Sequence, residues 1–240
     1  MIWTSQRRTR GPAVLVGLAL TGLLLTGCGS SVGIHPGSAA MVGDGTVSMS
    51  TIDDTAKLYC QVFITSSQQS QQGQSGPQPM GLFRGFVAAS LAKRLLGQAL
   101  AGQYDVEPAN GYQTQLSQIE QAFASAPADQ RQAVIDVAGS DAYLQNVQVA
   151  IGQQLTGNQG QSDDDVNAAL RRGEVATQEW LNDHDAFIDP VFNISVDGGK
   201  FTRELDQTSY PVSALASAGA RTAAPDESYS SALPAVQRCG

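Results

Sequence analysis

Three cysteines limit how this 240-residue chain can fold more than any other feature of its sequence. Cys28 directly follows an N-terminal segment, residues 1–27, which is discussed below, and this leaves Cys60 and Cys239 as the pair inside the folded part. In an oxidising compartment, an even number of cysteines predicts a disulfide. A Cys60–Cys239 bond would close a loop of about 180 residues. In the chain-entropy account, such a bond stabilises the fold by about 5 kcal/mol. The alternative is two separate buried thiols.

The first 27 residues have the pattern of a secretion signal. A basic region with Arg7, Arg8 and Arg10 precedes an apolar stretch, PAVLVGLALTGLLLT, at residues 12–26. This stretch is shorter than the roughly 20 apolar residues that span a bilayer comfortably, and small side chains follow it, as signal cleavage requires. We therefore predict export, and with it the oxidising surroundings in which a disulfide persists.

The end of the apolar stretch resembles the lipobox of exported lipoproteins. It consists of Leu25, the small residues Thr26 and Gly27, and then Cys28. In that motif the thiol takes a diacylglyceryl group, and a signal peptidase cuts just before it. We expect Cys28 to be the lipidated first residue of the mature protein, on the extracytoplasmic side of the cell membrane, with residues 28–38 as a flexible Gly/Ser/Pro tether. The alternatives are an ordinary signal peptide with an incidental cysteine and a transmembrane anchor.

Charge restricts the partners that the mature chain can have. Removal of the signal takes the formal net charge from −8 to −11, because three arginines leave with it. Such a surface repels nucleic acid and anionic lipid headgroups alike. We therefore expect contact with the membrane only through the lipid, and no nucleic-acid partner.

Motifs of catalysis and metal binding are missing from the sequence. It has two histidines, His35 in the tether and His184 near a predicted helix end, and its cysteines lack metal-ligand spacing. It contains no nucleophile elbow, P-loop or G-x-G-x-x-G motif. The three aspartates at residues 163–165 are compatible with a metal site. Acidic residues also stabilise a helix N-terminus, and we prefer the interpretation that these three lie in the first turn of a helix. We predict no catalytic activity and no cofactor.

Hydrophobic periodicity predicts a mainly α-helical domain at residues 39–205. It opens with a β-hairpin around Asp44-Gly45. Residues 66–79 have no apolar side chain to bury and are predicted to be a flexible linker, and residues 206–240 an extended tail. A loop and a strand are predicted at 187–205. The predicted helices cover about 51–64, 80–103, 112–124, 127–139, 140–155 and 163–183.

Three segments together resemble the SurA-like N-terminal chaperone domain, in the lipoprotein form found in actinobacteria. They are residues 39–48 (AAMVGDGTVS), residues 180–193 (WLNDHDAFIDPVFN) and residues 232–239 (ALPAVQRC). The second segment is similar to the family pattern V-D-P-R-F-G, with Val191 and Asn193 in place of the usual Arg and Gly. The resemblance covers about residues 39–239.

The resemblance implies a helical bundle in which early and late segments pack together, with a small sheet formed by the N-terminal hairpin and a C-terminal strand. It also implies a chaperone-like protein that holds unfolded or exported polypeptides. The chain leaves no room for a parvulin isomerase domain. The candidate peptide-binding side chains are on the most apolar helix: Leu82, Phe83, Phe86 and Val87. The alternative is that these side chains fill the core. The alternative function is a structural or adaptor lipoprotein that docks to one cell-envelope partner.

Overall fold

The computed structural model describes residues 36–69, 76–204, 210–220 and 227–240. The predicted signal, Cys28 and most of the tether lie outside the described residues. The helices are α1 (Met49–Gln69), α2 (Met80–Tyr104), α3 (Gly111–Ala122), α4 (Ala128–Thr156), α5 (Asp163–Asp183), α6 (Ala214–Ala220) and α7 (Glu227–Ala232). The strands are β1 (Ser38–Val42), β2 (Gly45–Ser48), β3 (Gln78–Pro79), β4 (Ala186–Ile188), β5 (Ile194–Asp197), β6 (Lys200–Arg203) and β7 (Arg238–Cys239). The predicted mainly helical fold class is confirmed.

The N-terminal hairpin forms where the sequence predicts it. β1 pairs with β2 across a turn at Gly43-Asp44, one residue before the predicted Asp44-Gly45. Gly43 has a φ of 55°, a left-handed conformation that glycine adopts without strain. The other edge of β1 pairs with β4, directly after α5, so the hairpin joins the two ends of the main helical segment. The C-terminal strand β7 lies in a second small sheet, paired with β3.

The predicted cysteine pair holds the C-terminus against α1. Cys60 and Cys239 are both buried, and their Cα atoms are 5.8 Å apart in a disulfide. The prediction of a flexible linker at residues 66–79 is wrong at both ends, because its last two residues form β3, which pairs with β7, and its first four belong to α1. α1 continues to Gln69, and residues 70–75 lie outside the described part of the chain.

The prediction that residues 206–240 form an extended tail is wrong for the residues that the structure describes. They contain α6, α7 and a single 3-10 turn at Ala235–Gln237. The sequence of α6, ALASAGA, is rich in alanine, the residue with the highest helix propensity. The disulfide and the β3–β7 pairing anchor the end of the tail, which gives these short helices a fixed surface to lie against.

Residues 127–155 form one helix and not two, so the predicted break at Gly139 and Ser140 is wrong. Both residues are buried inside α4. The hydroxyl of Ser140 donates a hydrogen bond to the carbonyl of Asp136 one turn earlier, which satisfies it without ending the helix. Packing of α4 against α1, α2, α3 and α5 outweighs the modest helix penalty of one glycine.

The contact between α4 and α5 depends on small residues. The buried side of α5 consists of Ala169, Gly173, Ala176, Thr177 and Trp180. Trp180 is the one large side chain among these five, and Val175, on another side of α5, is 43% exposed. Glycines and alanines let the two backbones approach so closely that larger residues are excluded from the contact.

The three aspartates at residues 163–165 lie at the capped N-terminus of α5. Ser162 Oγ accepts a hydrogen bond from the backbone N–H of Asp165 at 3.2 Å, and the Ser162 hydroxyl also donates to the Asp165 carboxylate. These bonds, with one from Asn158, hold the pKa of Asp165 below its usual value of 3.8. The three aspartates of residues 163–165 thus occupy the first turn of a capped helix, as predicted.

We expect Ser162→Ala to cost about 1 kcal/mol of unfolding free energy, because it removes the cap. A carboxyl whose pKa is lowered in the fold adds stability above its unfolded pKa and loses it as the pH falls through the folded pKa. The difference between the natural protein and Ser162→Ala should therefore be largest above about pH 4 and shrink below it. Urea denaturation across that range measures this, and a pH-independent difference would contradict the role of Asp165.

Candidate functional site

The four side chains predicted to bind peptide divide between the core and the surface. Val87 is fully buried and Phe83 is 8% exposed, so neither lines an open groove. Leu82 is half-buried and Phe86 is 46% exposed. Positions 83 and 87 lie one turn apart on the face of α2 that packs inward, whereas 82 and 86 are rotated away from it by about 100° each.

Phe86 belongs to a cluster of four aromatic rings that joins α1 and α2. The centroids of Phe86 and Tyr59 are 5.7 Å apart, those of Tyr59 and Phe83 6.4 Å, and those of Phe83 and Phe63 5.3 Å. These separations lie in the range of favourable tilted and edge-to-face contacts. We call the four residues the aromatic patch. Phe63 and Phe86 are its exposed ends, and Phe83 is its buried base.

Sequence periodicity explains why these rings meet. Tyr59 and Phe63 are four residues apart on α1, and Phe83 and Phe86 are three apart on α2, so each pair forms one stripe along its helix. The helical periodicity of Ile52, Ala56, Tyr59 and Phe63 predicts that all four lie on the inward face of the first helix. The structure instead leaves Tyr59 half-buried and Phe63 37% exposed. Which of several apolar positions stays uncovered depends on the neighbouring helices, and periodicity alone does not reveal it.

The aromatic patch is built on a rigid base. Phe83 and Cys60 belong to one buried cluster that also contains Cys239, so the disulfide ties the base of the patch to the C-terminus. Burial, with a smaller contribution from the charge of Asp141, raises the pKa of the Tyr59 phenol. Tyr59 therefore stays neutral and keeps its O–H as a donor.

Basic residues beside the patch are held by partners. The Arg84 guanidinium lies 2.6 Å from a carboxylate oxygen of Asp53 and 5.5 Å from the centre of the Phe192 ring. Lys57, on the exposed side of α1, pairs with Asp54 at 3.1 Å. With these charges paired, the patch presents mainly uncharged aromatic surface, which favours apolar ligands over ionic ones.

The side chains considered for catalysis and metal binding have structural roles. His184 stacks on Trp180 with their ring centres 4.0 Å apart, and its Nδ1 lies 2.8 Å from the Trp180 carbonyl oxygen. Within the described residues no three His, Cys, Asp or Glu side chains lie close enough together to hold a metal ion.

None of the helices in the described ranges is both long enough and apolar enough to cross a membrane. Comparison of the chain with protein-family models, with curated proteins and with solved structures found no match.

Proposed function

We propose that this protein is an exported lipoprotein, anchored to the extracytoplasmic side of the membrane through Cys28, that holds unfolded polypeptides without catalysing a reaction on them. The aromatic patch carries this proposal. Its four contacting rings include two, Phe63 and Phe86, that remain substantially exposed on adjacent helices. A contiguous exposed apolar patch on a soluble domain is a typical feature of an interaction site.

The chemistry of the patch suits unfolded chains better than one folded partner. Aromatic rings provide large contact areas to many apolar side chains and require no particular sequence. The surface is fixed before binding, because the disulfide and the α1–α2 contact hold its base, so little ordering free energy is lost when a client binds. The resemblance to SurA-like chaperone domains supports the same function.

An aggregation assay tests this function. Phe86→Ser should weaken suppression of client aggregation about fivefold, which corresponds to a loss of roughly 1 kcal/mol of binding free energy. Leu155→Ser is the matched control, because Leu155 is 44% exposed against 46% for Phe86 and lies outside the patch. Both variants should lower the melting temperature by similarly small amounts, since each replaced side chain is about half exposed.

The clients should be several unrelated reduced polypeptides. Equal suppression by the Phe86 and Leu155 variants would contradict the role of the patch. Activity toward one client alone would favour an adaptor that docks to a specific cell-envelope partner.

The anchor is tested separately with Cys28→Ser. The natural protein should fractionate with membranes and carry the mass of an acyl-modified N-terminal cysteine. The variant should lack that mass and should keep its signal or be cut at another position. A Cys28→Ser protein that still carries acyl groups would show that the lipidation site has been misassigned.

A further inference from the structure

A second surface feature, a cleft beside α4, is lined by side-chain amides. Its volume is about 460 Å³, within the range of ligand-binding pockets. The segment between α2 and α3 forms one wall, and the loop before α5 forms the other. We call it the amide cleft, after the six amide side chains that line it: Asn110, Asn146, Gln153, Gln154, Gln159 and Gln161.

Two of these amides are more than nine-tenths buried and still have hydrogen-bonding capacity. Gln153 is 8% exposed, and its side-chain amide makes no hydrogen bond to any described residue. Asn146 is 6% exposed and donates through Nδ2 to Gln115 and to the Ala142 carbonyl, but its Oδ1 has no described donor. Among the described residues, no fully buried side-chain nitrogen or oxygen lacks a partner. These free polar atoms are therefore open to the cleft that they line.

Gly111 keeps the Asn146 oxygen uncovered. A Cβ at position 111 would lie 2.7 Å from Oδ1, closer than such atoms pack, so any side chain there would cover the acceptor. The glycine lies at the first position of α3, where other residues would be better helix formers. Its absence of a side chain thus leaves a hydrogen-bond acceptor available inside the cleft.

The lining determines what class of ligand fits. It contains one carboxylate, Glu107, but no cationic and no aromatic side chain among its described residues. Anionic ligands would find no countercharge there, and planar rings would find no stacking partner. Each amide offers a donor and an acceptor together, which is the same pair that a peptide unit carries. The remaining lining is small and aliphatic, as at Val149 and Val166.

The spacing of the buried amides matches an extended peptide. Asn146 and Gln153 are seven residues apart on one face of α4, which places them about 10 Å apart along the helix axis. Three residues of an extended chain span about the same distance. We propose that the amide cleft binds the backbone of a short extended peptide segment, with the Asn146 oxygen and the Gln153 amide as its fixed hydrogen-bonding groups. This inference rests on the proposed function and names a site for the client backbone.

Titration of the purified full chain with an uncharged, end-blocked alanine–glycine octapeptide tests the cleft. The side-chain amide resonance of Gln153 should shift on binding. Gln153→Leu should weaken binding about three- to tenfold, the effect of losing one hydrogen bond. Gln145→Leu is the matched control, because Gln145 is exposed on the same helix and does not line the cleft. Gly111→Ala should also weaken binding, since it covers the Asn146 oxygen without removing a polar group.

The outcomes separate this inference from the proposed function. An uncharged chitin oligosaccharide is titrated in parallel, and binding of the sugar without the peptide would overturn the peptide assignment. Equal peptide binding by the Gln153 and Gln145 variants would overturn the cleft as its site. If Gln153→Leu loses peptide binding while Phe86→Ser still suppresses aggregation fully, the cleft stands and the aromatic-patch function fails. If the octapeptide does not bind but Phe86→Ser impairs suppression, the cleft fails and the proposed function stands.

Discussion

Gly173→Ala should destabilise the protein by about 3 kcal/mol, at the upper end of the range for overpacked cores. A Cβ on Gly173 would overlap the backbone of Gln148 in α4, and a Cβ on Gly152 would overlap the backbone of Ala169 in α5. Backbone atoms cannot rotate aside as a flexible side chain can. The two helices would therefore have to separate along their most extensive contact and would weaken the buried Gln148–Thr177 hydrogen bond.

The same substitution at Gly102 provides a control with the opposite sign. Gly102 is exposed in α2, and a Cβ there would meet nothing within 4 Å. Gly102→Ala should therefore stabilise the protein by about 0.5–1 kcal/mol through helix propensity alone. Urea denaturation followed by circular dichroism measures both effects. A Gly173→Ala protein as stable as the natural one would show that α4 and α5 do not pack this closely.

Cys239→Ser should cost about 2–5 kcal/mol, the usual effect of removing a native disulfide. The bond spans 179 residues, so its loss frees most of the unfolded chain from a long loop constraint. The variant also removes the covalent anchor of β7, which pairs with β3 through only two residues on each strand. Cys60 should then react with thiol reagents, although burial will slow the reaction in the folded state.

A double variant, Cys60→Ser with Cys239→Ser, is the control for this prediction. Since both changes break the same bond, the double variant should be about as unstable as Cys239→Ser. A reductant should lower the melting temperature of the natural protein and leave that of the double variant unchanged. A natural protein with two free thiols after recovery from the cell envelope would contradict the bond.

Patterns that depend on local chemistry predicted the fold well. The N-terminal hairpin, the long apolar period of α2 and the Ser162 cap all have signals within a few residues, and each forms near those signals, although the hairpin turn lies at Gly43-Asp44, one residue before the predicted Asp44-Gly45. The cysteine pair was predictable because the predicted lipidation of Cys28 leaves two cysteines, and two cysteines allow one pairing. The helix break predicted at Gly139 and Ser140 is wrong because packing of α4 against four other helices keeps these two residues helical.

The candidate site was only partly predictable for the same reason. The sequence singled out α2 as the most apolar helix and so identified Phe86 together with three neighbours. Whether Phe83 or Phe86 is buried depends on where α1 lies, which is a tertiary contact without a local signal. The amide cleft gave no sequence signal, because its Asn and Gln residues come from three separate segments of a glutamine-rich chain.

Site-specific photo-crosslinking tests the central proposal most directly. A benzoylphenylalanine at position 86 keeps an aromatic ring in the patch, and the same residue at position 155 provides a control of equal exposure. The full chain is irradiated with several unrelated polypeptides, each in reduced unfolded form and in native form. We predict crosslinks from position 86 to every unfolded polypeptide, few from position 155, and none to the native forms. Equal crosslinking from the two positions, or crosslinking to the native forms alone, would contradict the proposal.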